Sequence, residues 1–326
     1  MITAAVDQSG LQLTKPCVRR DDGLDYIRVA GLLLVMWQHS CSILSEDRRT
    51  DLGSLNLGQL GVSFFLIISG YLASRSTRKP VEWIVSRLRR IFPAYWLAIA
   101  ASLLGAKIFE YKPISWHLII AQLAGVAWFT HGSQIINVPT WFISLLLLCY
   151  AIAFILRFLP GGGTLSLIAA GGLSFIAFEG INPLTLTHIS TFLVGYWIGN
   201  ACPGRIRNWL FGLMIFWIAI LTIAGSKWTF YSIIAILALG IGLHLKSVDR
   251  WSQRVAKYSY FTYLVHGPIL LATTFLFTKS WWVVISIGLP AVAIGTGLLA
   301  MSARLLDRSL SRLFNVLQRE SVLTPG

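Results

Sequence analysis

Charge is scarce in this chain. Only 12% of its 326 residues are charged, against roughly 25% in soluble domains, which leaves too little polar material for an ordinary water-facing surface. Acids are scarcer still, with 13 Asp+Glu against 27 Lys+Arg. In a chain with a mean hydropathy of +0.69, the resulting formal charge of +14 follows from the positive-inside rule. A nucleic-acid partner is therefore not expected. Cysteine is sparse, and Cys17, Cys41, Cys149 and Cys202 show neither ligand spacing nor a disulfide framework. His117, His131, His188 and His244 also lack ligand spacing to one another, so no metal is expected. Residues 1–23 have no apolar core and no small-residue cleavage site of the signal-peptide kind, so the first span is expected to direct insertion itself.

What is abundant is long apolar sequence. Stretches near the length needed to cross a hydrocarbon core, about 20 residues, run 24–44, 57–73, 92–109, 139–159, 164–178, 184–200, 209–224, 228–245, 258–277 and 281–302. The sequence predicts an all-α, polytopic membrane protein of about ten transmembrane helices. Its organisation is a cytoplasmic N-terminal tail (1–23), a transmembrane domain (24–303) and a cytoplasmic C-terminal tail (304–326). A further apolar stretch, 116–130, is short for a span and suits an interfacial or re-entrant segment. With both termini cytoplasmic, one side collects Lys15, Arg19, Arg20, Arg75, Arg78, Lys79, Arg87, Arg89, Arg90 and Arg157. Arg205, Arg207, Lys246, Arg250, Arg254, Lys257, Arg304, Arg308, Arg312 and Arg319 fall on the same side. Counting 116–130 as a span would move every basic loop after it to the outside, against the positive-inside rule. The other side keeps Arg48, Arg49, Lys107, Lys112, Lys227 and Lys279. Gly161, Gly162 and Gly163 after Pro160 read as a tight connection between spans.

Two residues of the first span are expensive there, Arg28 and His39, because ionisable groups inside a bilayer cost several kcal/mol by insertion scales. Eleven residues separate them, which places their side chains about 20° apart around a helix and roughly 16 Å apart along it. That geometry suits a long anionic molecule threaded along the helix, its phosphates near Arg28 and its reacting group near His39. Imidazole is the usual side chain for taking a proton from a hydroxyl near neutral pH. The structural alternative is a packed histidine and an arginine snorkelling to the interface, paired with Asp25 at i−3. Arg87, Arg89 and Arg90, immediately before the third span, carry the donor geometry that recognises phosphate, or contact anionic headgroups. Cys41 lies 200° around the helix from His39 and belongs to the packing.

The run Leu24-Asp25-Tyr26-Ile27-Arg28 through Trp37-Gln38-His39-Ser40 resembles the opening of the membrane acyltransferase-3 family, which has an Arg-x10-His pattern in its first helix. Three further blocks follow in the family's order. Gly61 to Leu72 resembles its Phe-Phe-x-x-Ser-Gly-Tyr/Phe-Leu block, Arg87 to Trp96 its basic Pro-x-Tyr/Phe-Trp segment, and Tyr258 to His266 its late Ser-Tyr-x-x-Tyr-Leu-x-His block. The resemblance implies transfer of an acyl group, acetyl being the commonest, from cytoplasmic acyl-CoA to a hydroxyl of a sugar-containing acceptor, free or lipid-linked. The setting it implies is the bacterial inner membrane, and membrane lipids are the remaining contacts. No tightly bound cofactor is implied, acyl-CoA being a co-substrate. By position, His39 is the expected base, with Arg28 beside it in the catalytic pair. Arg28, Arg87, Arg89 and Arg90 are expected to handle the donor. Asp25, Ser69, Tyr263 and His266 match motif positions without an assigned role.

The chain also departs from the family. Where many members have Trp-Ser-Leu-x-x-Glu it reads Trp141-Phe142-Ile143-Ser144-Leu145-Leu146, and Asp307-Arg308-Ser309 replaces a late Glu-x-Pro. Roles of those acids do not transfer. Direct attack of the acceptor hydroxyl on the thioester is expected, without an acyl-enzyme. The rivals are a transporter of a glycan or acylated metabolite, which predicts discontinuous helices in matched repeats, and a non-catalytic member that keeps its function without His39.

Overall fold

The computed structural model describes residues 23–44, 55–111, 113–200, 205–245 and 249–323. The expectations that rest on the tail before Gly23, on Lys15, Arg19, Arg20, Arg48, Arg49, Lys112 and Lys246, and on Cys17 and Cys202 lie outside the described residues. The described chain is helical, with no strand among its elements. In order these are α1 (Gly23–Leu44), α2 (Leu57–Ser74), α3 (Pro80–Ile108), α4 (Trp116–Leu123), α5 (Ala127–His131), α6 (Trp141–Leu156) and α7 (Gly162–Phe178). They continue with α8 (Pro183–Asn200), α9 (Arg205–Ile223), α10 (Lys227–His244), α11 (Arg250–Leu276), α12 (Trp281–Val283) and α13 (Leu289–Leu323). A π-helical turn, Val284–Gly288, joins the last two.

Five helical segments are long and apolar enough to cross a membrane: Gly23–Leu44, Leu57–Ser74, Pro80–Ile108, Val138–Leu156 and Trp281–Leu310. Each of the ten span-length apolar stretches is helical over most of its length, 139–159 running past the end of α6 at Leu156. The short stretch 116–130 is split, into α4 of 8 residues and α5 of 5, because Gly125 between them takes a φ of 75° that glycine adopts at no steric cost. At 1.5 Å per residue α4 is about 12 Å long, far short of a bilayer core of roughly 30 Å. Hydropathy misses helical extensions that leave the apolar region. α3 begins at Pro80, where proline suits a first turn; α11 begins at Arg250 behind an Asp249 cap, and residues 304–323 continue α13.

Lipid tails are as apolar as leucine, so helices associate there through close packing and interhelical hydrogen bonds. Both devices operate between α2 and α8. A Cβ on Gly70 would strike the backbone of Phe192, and one on Gly195 the backbone of Ile67. The same two helices share a buried polar relay: Ser63 donates to His188 Nδ1 (3.2 Å), whose Nε2–H reaches Gln59 Oε1 (2.9 Å). Since Ser63 pairs with His188 while Ser74 meets Gly199, α2 and α8 run parallel. α1 and α2 cross where Gly31 and Gly61 face each other.

α1 also packs along α11. Tyr26 donates to Asp249 Oδ2 (2.8 Å) at one end, and the His39 and His266 rings meet at 5.0 Å between centroids at the other. These helices too are parallel. Proline at 268 lies inside α11 and cannot donate to the Leu264 carbonyl four residues back. Asn137 supplies that donor, its Nδ2 reaching Leu264 O at 3.0 Å. Two buried linkages thus fix the bent middle of α11, because the Tyr263 hydroxyl also donates to Pro139 O (2.8 Å).

Gly70→Val should place a branched side chain against backbone, at or above the upper end of the roughly 1–3 kcal/mol typical of overpacking. In detergent its thermal midpoint should fall well below that of the parent. Gly171→Ala, where a Cβ meets nothing within 4 Å, should leave the midpoint unchanged.

Candidate active site

Where α1, α3 and α11 converge, the bundle encloses a cavity of about 680 Å³. Its wall is strongly cationic, formed by Arg28 of α1, Arg87 and Arg90 of α3, and Arg250, Arg254 and Lys257 of α11. Among the described residues Asp25 is the only acid that lines it. Asp25 sits in the first turn of α1, where the helix dipole favours an anion, and it holds Arg28 Nη1 at 2.5 Å. One Arg28 nitrogen is thus fixed to a buried carboxylate, and the guanidinium still reaches the cavity, with 29% of its side chain exposed. Arg87 lies over the rings of Trp83 (6.0 Å) and Tyr150 (5.9 Å), which orients a flexible cation by cation–π attraction.

Helix geometry separates the three α3 arginines. Arg87 and Arg90 are three residues apart and share a face, whereas Arg89 is about 200° around from Arg87. Arg89 is exposed and does not line the cavity. Of the three arginines expected to handle the donor, Arg87 and Arg90 line this cavity. Arg157, read from sequence only as a cytoplasmic charge, has a structural task. Its guanidinium donates to the carbonyls of Ala73 (2.7 Å), Ser76 (3.0 Å) and Arg78 (2.5 Å), satisfying carbonyls at and beyond the C-terminus of α2 that have no helical donor.

Arg250, Arg254 and Lys257 are the site residues that sequence reasoning missed. They had been counted as loop charges. Their i, i+4, i+7 spacing marks one helical face, and that regularity was available as the signal. The face is held against α1 by its cap: Asp249 accepts from Ser252 N–H (2.8 Å) and from the Tyr26 hydroxyl. Tyr260, next along, donates to the Ile91 carbonyl of α3 at 2.9 Å, near Pro93, where that helix lacks one backbone donor.

Beyond the cations the wall becomes aromatic. Phe65, Phe142 and Tyr263 line it together with Ser69, and the Tyr263 ring packs edge-on against both phenylalanines. Tyr263 in turn meets His266 at 5.6 Å between centroids, and His266 meets His39 at 5.0 Å. His39 is half-buried and stands behind this ring stack rather than in the cavity wall. The structure therefore brings together Asp25, Arg28, Ser69, Arg87, Arg90 and Tyr263 around one space, and pairs His39 with His266 next to it. Cys41 is buried.

The chain's similarities agree with this arrangement. A family model described as an acyltransferase domain matches residues 21–301. The chain belongs to the acyltransferase-3 family. The matched span includes the cationic cavity and both histidines, so the four sequence blocks quoted above are parts of one acyltransferase domain in an integral membrane protein. A segment of 180 residues is 31% identical to the exopolysaccharide production protein ExoZ of Rhizobium meliloti (strain 1021), covering 49% of this chain and 56% of that protein. The chain thus spans little more than half the length of that curated relative. No solved structure matches it.

The Asp249 cap gives a pH test. Hydrogen bonds from the Ser252 backbone and then from Tyr26 hold its carboxyl below the usual carboxylate range. A group whose folded value is depressed contributes stability above its unfolded value and loses it as the pH falls through the folded one. Asp249→Asn keeps a capping acceptor but cannot titrate. The melting midpoint of the parent should exceed that of Asp249→Asn at pH 7, and the difference should shrink in acid below the ordinary carboxylate range.

Proposed function

We propose that this protein is a membrane O-acyltransferase that moves an acyl group, acetyl in the simplest case, from acyl-CoA to a hydroxyl of a sugar-containing acceptor such as an exopolysaccharide or lipopolysaccharide unit. One observation carries the reading: among the described residues, a cavity ringed by six cations and one acid is backed by an aromatic wall whose Tyr263 contacts His266, which in turn contacts His39. Coenzyme A has the matching polarity, with phosphates at one end, a long thin arm, and a thioester at the other. Arg28, Arg87 and Arg90 are assigned to its phosphates together with Arg250, Arg254 and Lys257. Guanidinium pairs bind phosphate oxygens through parallel charge-assisted hydrogen bonds.

In the proposed reaction the acceptor hydroxyl gives its proton to His39 as its oxygen attacks the thioester carbonyl carbon. The C–S bond then breaks. The thiolate leaves and takes the proton from the His39 imidazolium, so the products are an ester and free CoA thiol, and the histidine returns to its starting form. No group on the protein carries the acyl unit. Burial excludes water from competing as the nucleophile.

We place the domain across the bacterial inner membrane in ten passes, both termini and the cationic mouth on the cytoplasmic side, where acyl-CoA is found. Helix direction supports that count. α1 and α11 run parallel, as do α2 and α8. With α4 and α5 left out, α11 is the ninth crossing and α8 the sixth, which gives each pair the same direction. Counting α4–α5 as a crossing would make both pairs antiparallel.

Radiolabelled acetyl-CoA and acceptor supplied to membranes test the assignment. His39→Ala should abolish labelled ester, a loss of at least about 10²-fold for a general base, with CoA affinity changed less than about twofold. Arg87→Ala and Arg254→Ala should each weaken CoA binding about tenfold, within the range for a charged hydrogen bond. Arg89→Ala should leave it nearly unchanged. Equal affinities in all three arginine variants would remove the phosphate assignment.

A further inference from the structure

The second histidine of the pair has a bonding pattern that points to a role of its own. His266 Nδ1 lies 2.8 Å from the Tyr263 carbonyl and 3.2 Å from the Thr262 carbonyl. Carbonyl oxygens only accept, so Nδ1 carries the proton, and in the neutral ring Nε2 is then a lone-pair acceptor. That Nε2 is buried and has no hydrogen-bond partner among the described residues, an arrangement costly enough to need a reason. The neighbouring Tyr263 hydroxyl cannot supply a proton to it, being committed to Pro139 O at 2.8 Å. The other ring against His266 is His39, set nearly perpendicular at 82°.

We infer that His266 is a positioning residue for the transfer reaction: when the His39 ring turns an N–H toward it from the ring contact seen here, the His266 Nε2 accepts that N–H and so holds the opposite His39 nitrogen, with its lone pair, toward the acceptor hydroxyl. The inference rests on the proposed role of His39 as base. A base that must take a proton on one nitrogen needs its other nitrogen protonated and held, because the wrong tautomer has no lone pair facing the substrate. A carboxylate is the common partner for this task, as in the serine-protease triad. A neutral imidazole does it without bringing a second charge into the bilayer, where an unpaired ion is far more expensive than a hydrogen-bonded neutral group. When His39 takes the acceptor's proton, its N–H bond to His266 becomes charge-assisted and strengthens, so the contact favours the transition state over the ground state. The scaffold supports the precision this needs, since Asn137 and Pro139 fix α11 at Leu264 and Tyr263, within the turn that leads to His266 and Pro268.

The test compares purified His266→Phe, His266→Gln and His266→Asn with His39→Ala, measuring turnover, KM for acyl-CoA and CoA binding. Phenylalanine keeps the ring but removes the acceptor. Glutamine can place its amide oxygen where Nε2 stands; asparagine reaches only the Nδ1 position. His266→Phe is expected to lower kcat about 100-fold, within the range for acid–base effects, with KM for acyl-CoA within about twofold, and His266→Gln but not His266→Asn is expected to recover most of the loss. Near-parental kcat in His266→Phe, or equal turnover in the Gln and Asn variants at any level, overturns the inference. If His266→Phe also loses CoA binding, the Gln and Asn comparison alone decides. Failure of the underlying reading is distinguishable, because in that case His39→Ala itself retains turnover.

Discussion

The parallel packing of α1 on α11 governs the rest of the site. The two helices touch through polar groups at both ends, Tyr26 with Asp249 and His39 with His266, and the cationic cavity lies at the first of these ends. Every other element acts by fixing that pairing. Asn137 replaces the donor that Pro268 removes from α11, Tyr260 ties α11 to the proline-bearing part of α3, and the glycine contact of Gly31 with Gly61 seats α1 against α2. A shift of α11 by one helical turn, about 5.4 Å, would separate the histidines and carry Arg254 and Lys257 away from Arg28 together.

Polar groups in this bundle are sorted by what the surroundings tolerate. Fixed cations gather at a mouth that water can enter, where six of them around one space repel each other in a high dielectric and cost little. Deeper in, charge gives way to neutral groups with committed partners, Ser63, His188 and Gln59 in one relay and Asn137 and Tyr263 on backbone carbonyls, and to the His39 and His266 rings in contact with each other. Proton transfer at His39 would create a charge at depth only transiently, with the anionic donor close by to offset it. That ordering, permanent charge outside and, in the proposed reaction, transient charge inside, suits a membrane acyltransferase with an anionic donor.

Much of the frame was legible in the sequence, because crossing a bilayer imposes a length and hydropathy that only helices meet. The span-length apolar stretches are helical over most of their length, and of the two costly residues of α1, Arg28 lines the cavity while His39 meets His266 of α11. What escaped was of two kinds. The α11 stripe of Arg250, Arg254 and Lys257 carried its signal in its spacing, but hydropathy ends the span at Tyr258 and relabels what precedes it as loop. The bonds of Asn137 to Leu264, Arg157 to Ala73 and His188 to Ser63 carried no local signal at all, since their partners lie 127, 84 and 125 residues away in the chain. Arg89 falls outside the cavity wall for a simpler reason: a helix turns alternate members of a run such as Arg87 and Arg89 to opposite sides.

A structure with a bound, non-transferable acetyl-CoA analogue in which a methylene replaces the thioester sulfur would test the central claim most directly. The account predicts the nucleotide phosphates among Arg28, Arg87, Arg90, Arg254 and Lys257, and the acyl carbonyl past Tyr263 beside His39. Phosphates bound elsewhere, or an acyl group that ends short of the histidine pair with no path to it, would contradict the account.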